Sequence, residues 1–305
     1  MMANPLDLKN RGPLIPVIRL DGVIDAGGRF GRGLNLQDMV EVIDHAFGIK
    51  KAPAVAIVIN SPGGSPVQSA LLYKRIRQLA AEKKKPVLAF TEDVAASGGY
   101  MLAIAGDEIY ADESSLIGSI GVISSGFGFT GVIEKLGVER RVYTAGDNKS
   151  TLDPFLPENE EDVAKLEAIQ TEVHAHFRKM VMDRRGDKLT ADQATLMNGD
   201  VWAGEKAVEH GLVDGIGDLY GTLRQKFGDN VRVRYIETRK GFLQTRLGLD
   251  MGSALPDMFA SLGLNWGRAP IATENGRIVP QVGEALADGL LTTLERRGLW
   301  GRFGR

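Results

Sequence analysis

Apolar and polar residues follow two different patterns in the first 235 residues, and these patterns alternate along the chain. Mainly apolar segments at 14–20 and 86–90 are predicted strands, and the continuous apolar, β-branched run at 54–59 is typical of a parallel strand buried on both faces. Apolar residues at helical spacing lie at 36–46 and 66–83. This succession of strands and helices predicts an α/β protein with a mainly parallel sheet.

Shorter elements complete the predicted domain, which we place at 1–240 because the sequence contains neither an internal repeat nor a low-complexity linker. A helix opened by Ser97 is expected after the strand at 86–90. The other elements are two short strands, one long charged helix and two short helices, at 109–111, 138–143, 158–185, 190–197 and 203–210.

The last part of the chain, 241–305, is predicted to be a C-terminal extension. Glycines punctuate 242–272, whereas leucines on one side of 283–297 indicate an amphipathic helix. The chain ends on a basic and aromatic cluster, formed by Arg296, Arg297, Leu299, Trp300, Arg302, Phe303 and Arg305. This cluster is a candidate for peripheral contact with an anionic membrane. The alternative, which we favour, is a helix docked on a neighbouring subunit or a loose tail.

Composition excludes several classes of function. The 305 residues include 43% hydrophobic residues and carry a net charge of −2, which fits a globular protein without the basic surface needed for nucleic acid. The absence of cysteine excludes disulfides, thiolate metal sites and a cysteine nucleophile. No signal peptide and no run of about 20 apolar residues occurs, so we expect a cytoplasmic chain that is at most peripheral at a membrane.

The four histidines lack the spacing of a metal site. His174 and His176 are two positions apart on a predicted helix, so their side chains point in different directions. We therefore expect neither a metal nor another cofactor, and we favour a catalytic base other than histidine.

Ser97 is the first candidate for chemistry. Gly98 and Gly99 allow a sharp turn after it, and a helix that begins there directs free N–H groups and its positive end at the serine. Such a place suits an oxyanion next to a nucleophile. The alternative is that Ser97 caps the helix, which is the commonest role for a serine in this position.

Two further segments extend this candidate site. The NSPGG turn at 60–64 ends a buried strand, and its Gly64 amide can join the Gly98 amide as an oxyanion donor, since parallel strands place their sites at their carboxyl ends. An ordinary strand-to-helix turn is the alternative.

Lys149 lies in a polar loop, where most lysines are solvated; it can act as a base only if burial and hydroxyl donors keep it neutral.

Four motifs in a fixed order resemble the signal peptide peptidase A (SppA) family of S49-type Ser/Lys peptidases, in its half-length form. The resemblance covers about 14–235, and the separation of Ser97 from Lys149 also matches. The motifs are NSPGG at 60–64, ASGGY at 96–100, GSIGV at 118–122 and GDNK at 146–149.

The resemblance implies a ClpP/crotonase-type fold of repeated ββα units and a set of catalytic roles. Ser97 corresponds to the nucleophile and Lys149 to the general base. Ser119 corresponds to a residue that hydrogen-bonds the lysine, and the amides of Gly64 and Gly98 correspond to the oxyanion hole. The implied activity is a serine endopeptidase that forms an acyl-enzyme and cleaves signal-peptide remnants or other peptides rich in small and apolar residues.

The resemblance also implies partners. Half-length members form rings or domes in which neighbouring subunits complete each other's sites, so we expect a homo-oligomer in which Ser97 and Lys149 meet across an interface. Many members carry an N-terminal transmembrane anchor, and this sequence shows no such segment.

Two other kinds of function remain open. An acyl-CoA enzyme of the crotonase type uses a similar oxyanion hole but has no need for Ser97 together with Lys149. An inactive scaffold of the same fold needs neither residue. A phage-type capsid maturation protease is a variant of the peptidase hypothesis.

Overall fold

The computed structural model describes residues 12–26, 33–146 and 148–237, together with 273–274, 277–278 and Phe303. The strands are β1 (Leu14–Asp21), β2 (Val55–Ser61), β3 (Val87–Ala96), β4 (Glu108–Ala111), β5 (Leu116–Gly118), β6 (Val201–Ala203), β7 (Gly215–Ile216), β8 (Arg232–Tyr235), β9 (Thr273–Glu274) and β10 (Arg277–Ile278). The helices are α1 (Leu36–Gly48), α2 (Pro66–Lys83), α3 (Gly98–Ala103), α4 (Thr130–Lys135), α5 (Glu160–Arg185), α6 (Gln193–Leu196), α7 (Gly204–Glu209) and α8 (Leu219–Phe227).

Strands β1 to β8 form one sheet, whose main path runs β6-β5-β3-β2-β1-β8, with β4 beside β3 and β7 beside β4. Every pair in it is parallel except β5 with β6. The predicted α/β architecture with a mainly parallel sheet is therefore confirmed. The short strands β9 and β10 form a separate antiparallel pair.

Both faces of the sheet are covered, as the apolar runs predict. All seven residues of β2 are buried, which fits its central place between β1 and β3. On one face the larger core cluster joins the strands to α1, α2, α3 and α5, with Phe47, Leu72, Ile76 and Phe177 among its members. On the other face a smaller cluster packs α8 against the amino-terminal halves of β1, β2 and β3.

Strand β3 is irregular near its centre, and this irregularity sets the direction of its last residues. Its pairing with β2 shifts register between Thr91 and Ala95. On its other edge, β3 pairs with β4 up to Thr91 and with β5 from Val94 onward. Three side chains hold this stretch: Arg19 donates to the Glu92 carboxylate at 2.8 and 2.6 Å, Ser115 to the Glu92 carbonyl at 2.5 Å, and Asn60 to the Asp93 carboxylate at 2.9 Å. The end of β3 is thus fixed by elements on both sides.

The C-terminal end of α5 is anchored by a buried cation. Arg185 is only 3% exposed, and its guanidinium donates to the Gly211 carbonyl at 2.6 and 3.0 Å and to the Asp214 carboxylate at 2.8 Å. The same carboxylate accepts from Lys188 at 2.6 Å and from the Ile109 amide at 2.8 Å. Helix α5 is therefore tied to the start of β4.

Most predicted elements match the structure, but one is wrong. The strands predicted at 14–20, 54–59 and 109–111 and the helices predicted at 36–46, 66–83 and 158–185 are confirmed within a few residues. The strand at 86–90 continues to Ala96 as β3. The strand predicted at 138–143 is absent, because these residues are exposed and have no strand beside them in the described part of the chain.

The expected C-terminal helix at 283–297 lies outside the described residues, as does the basic and aromatic cluster apart from Phe303. Of the helices within the described ranges, none combines the length and the apolar composition that crossing a bilayer requires.

The buried ion pair at the end of α5 predicts a pH-dependent stability. Burial opposes ionisation of Asp214, but hydrogen bonds from Lys188 and Arg185 outweigh it and lower the pKa of this carboxyl group. Its contribution is complete above the pKa of an unfolded Asp, about 3.9, and is lost as the pH falls through the lower folded pKa. We expect Asp214→Asn to reduce the free energy of unfolding at pH 7 by about 3 kcal/mol, because the buried Arg185 guanidinium loses its charged partner.

Urea unfolding of both proteins between pH 7 and pH 2.5 measures this effect, and the difference between them should shrink at the acid end. Asp183→Asn is the control, since Asp183 forms an exposed pair with Lys179 that contributes less than about 0.5 kcal/mol. A difference that stays constant over the whole pH range would contradict the assignment.

Candidate active site

Ser97 stands at a strained corner between β3 and α3. Its backbone has φ 53° and ψ −121°, a region that residues other than glycine rarely adopt. Two contacts enforce it: the Ser97 amide donates to the Gly118 carbonyl at 2.8 Å, and the Ser97 carbonyl accepts from the Tyr100 amide at 2.9 Å. The hydroxyl makes no capping hydrogen bond to the helix, so the helix-cap alternative is wrong.

The glycine turn after β2 lies directly against this corner. A Cβ atom added to Gly63 would be 2.8 Å from the Gly98 nitrogen and 2.8 Å from the Ser97 Cβ. At Gly64 φ is +137°, and an added Cβ would be 2.0 Å from the Ile24 carbonyl oxygen. Only glycine fits at either position, and the close approach of the two turns depends on it.

Backbone hydrogen bonds to Ile24 hold the same turn. The Ile24 amide donates to the Gly63 carbonyl at 2.8 Å, and the Ser65 amide donates to the Ile24 carbonyl at 2.7 Å. Within the ranges that the structure describes, the amides of Gly64 and Gly98 donate to no backbone carbonyl. Two N–H donors beside a serine hydroxyl can stabilise the negative charge that develops on a carbonyl oxygen under attack.

Ser69 supports the site from α2, and the sequence analysis missed it. Ser69 is fully buried, its hydroxyl donates to the Ser65 carbonyl at 2.8 Å, and a Cβ added to Gly98 would lie 2.3 Å from the Ser69 Oγ. The helical spacing from Leu72 and Ile76 was the available signal, because it places a serine on the buried face where a larger apolar residue is usual.

Ser119 follows β5 and lies close to Ser97. Gly118 pairs with Ala96 in the sheet and binds the Ser97 amide. Ser119 is buried with φ 52°, and its amide donates to the Asp200 carbonyl at 2.6 Å. The structure therefore brings Ser97, Ser119, Gly64 and Gly98 together at the carboxyl ends of β2, β3 and β5.

His174 lies next to this group, although the spacing of the histidines gave no indication of it. Its Nε2 is 3.1 Å from the carbonyl oxygen of Ile120, the residue after Ser119. This contact connects the middle of α5 to the segment that carries Ser119.

The structure does not place Lys149 in this group. Lys149 is exposed, and it lines a hollow of about 330 Å³ that is formed entirely by residues between 140 and 155. None of the other four candidate residues lines this hollow. Within the described chain, Lys149 is thus presented to solvent.

Lys149 belongs to a segment that exposes apolar side chains, which we call the arm (the described residues 121–146 and 148–159). Helix α4 within it buries no residue. The larger exposed apolar residues of the arm are Ile123, Phe127, Val132, Leu136, Val138, Val142, Tyr143, Leu152 and Leu156, of which Phe127 is 75% and Tyr143 91% exposed. An exposed apolar surface of this extent is typical of an interaction site.

Comparison with known proteins identifies the family. The model of peptidase family S49 matches residues 80–229. A putative protease of Synechocystis sp. is 33% identical over 225 residues, which are 70% of this chain and 78% of that protein. The chain belongs to peptidase family S49. It is therefore related to proteases, as the four motifs predicted.

Two other relatives differ in length and name. A protein of Brucella melitensis named Na(+)/H(+) antiporter NhaA is 49% identical over 294 residues, which are 95% of this chain but 37% of that protein. A putative signal peptide peptidase SppA of Enterococcus faecium is 34% identical over 65% of this chain and 59% of its own length. The chain spans a little over a third of the Brucella protein, so the antiporter name describes a much longer molecule.

The contact between Gly98 and Ser69 predicts an energetic coupling. Gly98→Ala forces a methyl group against the Ser69 hydroxyl and should reduce the free energy of unfolding by about 1–3 kcal/mol. Ser69→Ala removes the nearest atom and leaves neighbours at 3.2 and 3.3 Å, so the double variant should recover part of this loss. Urea unfolding of both single variants and the double variant gives the coupling energy.

Gly48→Ala is the matched control, because a Cβ at Gly48 meets no atom within 4 Å. Additive effects of the two substitutions would show that Ser69 does not set the position of Gly98.

Proposed function

We propose that this chain is a serine endopeptidase with the ClpP/crotonase-type fold, and that Ser97 is its nucleophile. The observation that carries the proposal is the contact between the Gly63–Gly64 turn and the Ser97–Gly98 corner, with Gly63 packed against the Ser97 Cβ. A strained serine beside two amide donors is an arrangement suited to acyl transfer. Membership of family S49 favours a peptide substrate over an acyl-CoA thioester.

The proposed reaction uses this geometry. The Ser97 hydroxyl attacks the carbonyl carbon of the peptide bond, its proton passes to the base, and the amides of Gly64 and Gly98 donate to the oxyanion of the tetrahedral intermediate. Collapse of the intermediate releases the amine with that proton and leaves an acyl-enzyme on Ser97. Water then hydrolyses the ester, and the base again transfers the proton.

Lys149 is the base in this proposal, and it comes from a neighbouring subunit. A lysine works as a general base only when it is removed from water, and Lys149 is exposed in the single chain. The apolar arm around it supplies the surface for an interface that buries it. We therefore propose a homo-oligomer, a ring or dome, in which each arm brings Lys149 to the Ser97 and Ser119 of the next subunit.

The substrate is an extended peptide. Ile24 occupies one edge of the Gly63–Gly64 turn, and a peptide strand added to the other edge would bring its scissile carbonyl to the two amides. Small or apolar side chains next to the cleaved bond, as in remnants of signal peptides, are the proposed preference. The name of the Enterococcus relative supports this substrate class.

The name of the Brucella relative supports activity close to a membrane. Its name is that of a membrane transporter, and the segment matched by this chain is part of that longer protein. We propose that the peptidase works in the cytoplasm, at the periphery of a membrane.

Labelling with a fluorophosphonate tests the chemistry. Mass spectrometry of the intact oligomer should show one adduct on Ser97, which Ser97→Ala abolishes. Lys149→Ala should slow labelling by about 10²–10⁴-fold, the usual contribution of a general base. An intact oligomer that is not labelled would contradict the peptidase proposal and favour an inactive scaffold.

Co-expression of Ser97→Ala with Lys149→Ala tests the shared site. Ser97→Ala alone should not be labelled and Lys149→Ala alone should be labelled only slowly. The mixture should regain about a quarter of the fast wild-type labelling, because that fraction of random interfaces joins an intact serine to an intact lysine. A mixture as inactive as its components would show that both residues act within one chain.

A further inference from the structure

The loop that carries Lys149 has little regular structure to hold its shape. Residues 148–156 form consecutive turns without a helix or strand, and Leu152 adopts φ 55°. The arm around the loop has little buried surface. The conformation of the loop therefore depends on individual polar and aromatic contacts.

One carboxylate makes three of these polar contacts. The Asp153 side chain is only 6% exposed, although it belongs to an exposed arm. It accepts from the Phe155 amide at 3.0 Å, from the Arg140 guanidinium at 3.0 Å and from the Ser150 hydroxyl at 3.3 Å. The hydrogen bonds from Phe155 and Arg140 lower the pKa of Asp153, so it remains ionised at neutral pH.

The aromatic neighbours of Asp153 connect the loop to the rest of the arm. The ring of Phe155 stacks on Phe129 with centroids 5.5 Å apart, and the Arg140 guanidinium lies 5.4 Å from the Phe155 centroid. The Phe129 amide donates to the Pro154 carbonyl at 2.6 Å. Asp153 and Phe155 thus connect the loop to the segments that contain Phe129 and Arg140.

We infer that Asp153 is a positioning residue for Lys149. Its carboxylate binds the hydroxyl of Ser150, which follows Lys149 directly, and Lys149, Ser150, Arg140, Asp153 and Phe155 line the same hollow. Asp153 fixes the backbone of the lysine before the arm meets its partner. A base held in place in advance loses less conformational freedom when it enters the site.

This inference rests on the proposed role of Lys149 and adds a residue that the motifs did not single out. A positioning role for Asp153 can be distinguished from a purely structural one. The arm lies outside both core clusters, so we expect loss of Asp153 to slow the chemical step without changing the unfolding of the domain.

Asp153→Ala and Asp153→Asn test the inference. Asp153→Ala should slow labelling of Ser97 by about 10- to 100-fold, the effect of misplacing a catalytic group by about 1 Å. Asp153→Asn keeps an acceptor for the Phe155 amide but loses its charge toward Arg140, so it should fall between Asp153→Ala and the wild type. Arg140→Met should resemble Asp153→Asn. The oligomer and the melting temperature should be unchanged in all three variants.

Asp183→Ala is the matched control, because Asp183 forms an exposed ion pair on α5, and it should label at the wild-type rate. Wild-type labelling by Asp153→Ala would overturn the inference. A loss of activity in proportion to a loss of oligomer or of melting temperature would also overturn it, since the role would then be structural.

Co-expression assigns Asp153 to one half of the site. Asp153→Ala with Ser97→Ala should recover labelling, because the Ser97→Ala subunit supplies an intact arm to the intact serine of its neighbour. Asp153→Ala with Lys149→Ala should not recover, since neither subunit has an intact arm. The opposite result would place Asp153 on the serine side and overturn the inference.

If co-expression of Ser97→Ala with Lys149→Ala does not restore labelling, the proposal that two subunits share each site is wrong. The labelling rate of Asp153→Ala alone then still decides the role of Asp153.

Discussion

The position of Ser97 depends on how β3 is held beyond Thr91. A regular strand would continue its pairing with β2 and β4, but the register shift lets the last residues pair with Ser61 and with β5 instead. Arg19, Asn60 and Ser115 hold the two residues at this shift from different elements. The serine corner is therefore supported by contacts that are distant in sequence, and these contacts balance its backbone strain.

The glycine turn completes this arrangement from the other strand. Because Gly63 packs against both Ser97 and Gly98, a side chain there would push the two turns apart. Ser69 restricts Gly98 from a third direction. The geometry of the candidate site thus follows from close backbone packing among β2, α2 and β3, and small residues at the contacts are what this packing requires.

Local sequence was sufficient to predict many of the elements that form the candidate site. Buried strands, glycine turns and helix starts have short-range signals, so β1, β2, α1, α2 and the segments around Gly64 and Ser97 could be predicted. Contacts distant in sequence have no such signal, which is why His174 and the extension of β3 to Ala96 were missed. The strand expected at 138–143 failed for a related reason: Val138, Val142 and Tyr143 favour a strand locally, but a local preference does not show whether a partner strand lies beside it.

If the arm forms the proposed interface, the equilibrium between free and assembled subunits has a further consequence. Under the proposed assembly, a subunit diluted from its neighbours keeps the strained serine and the two amide donors but leaves its lysine in water. Activity per chain then depends on protein concentration through mass action. A peptidase built in this way stays dormant while it is scarce and becomes active where subunits accumulate, without a propeptide or an inhibitor.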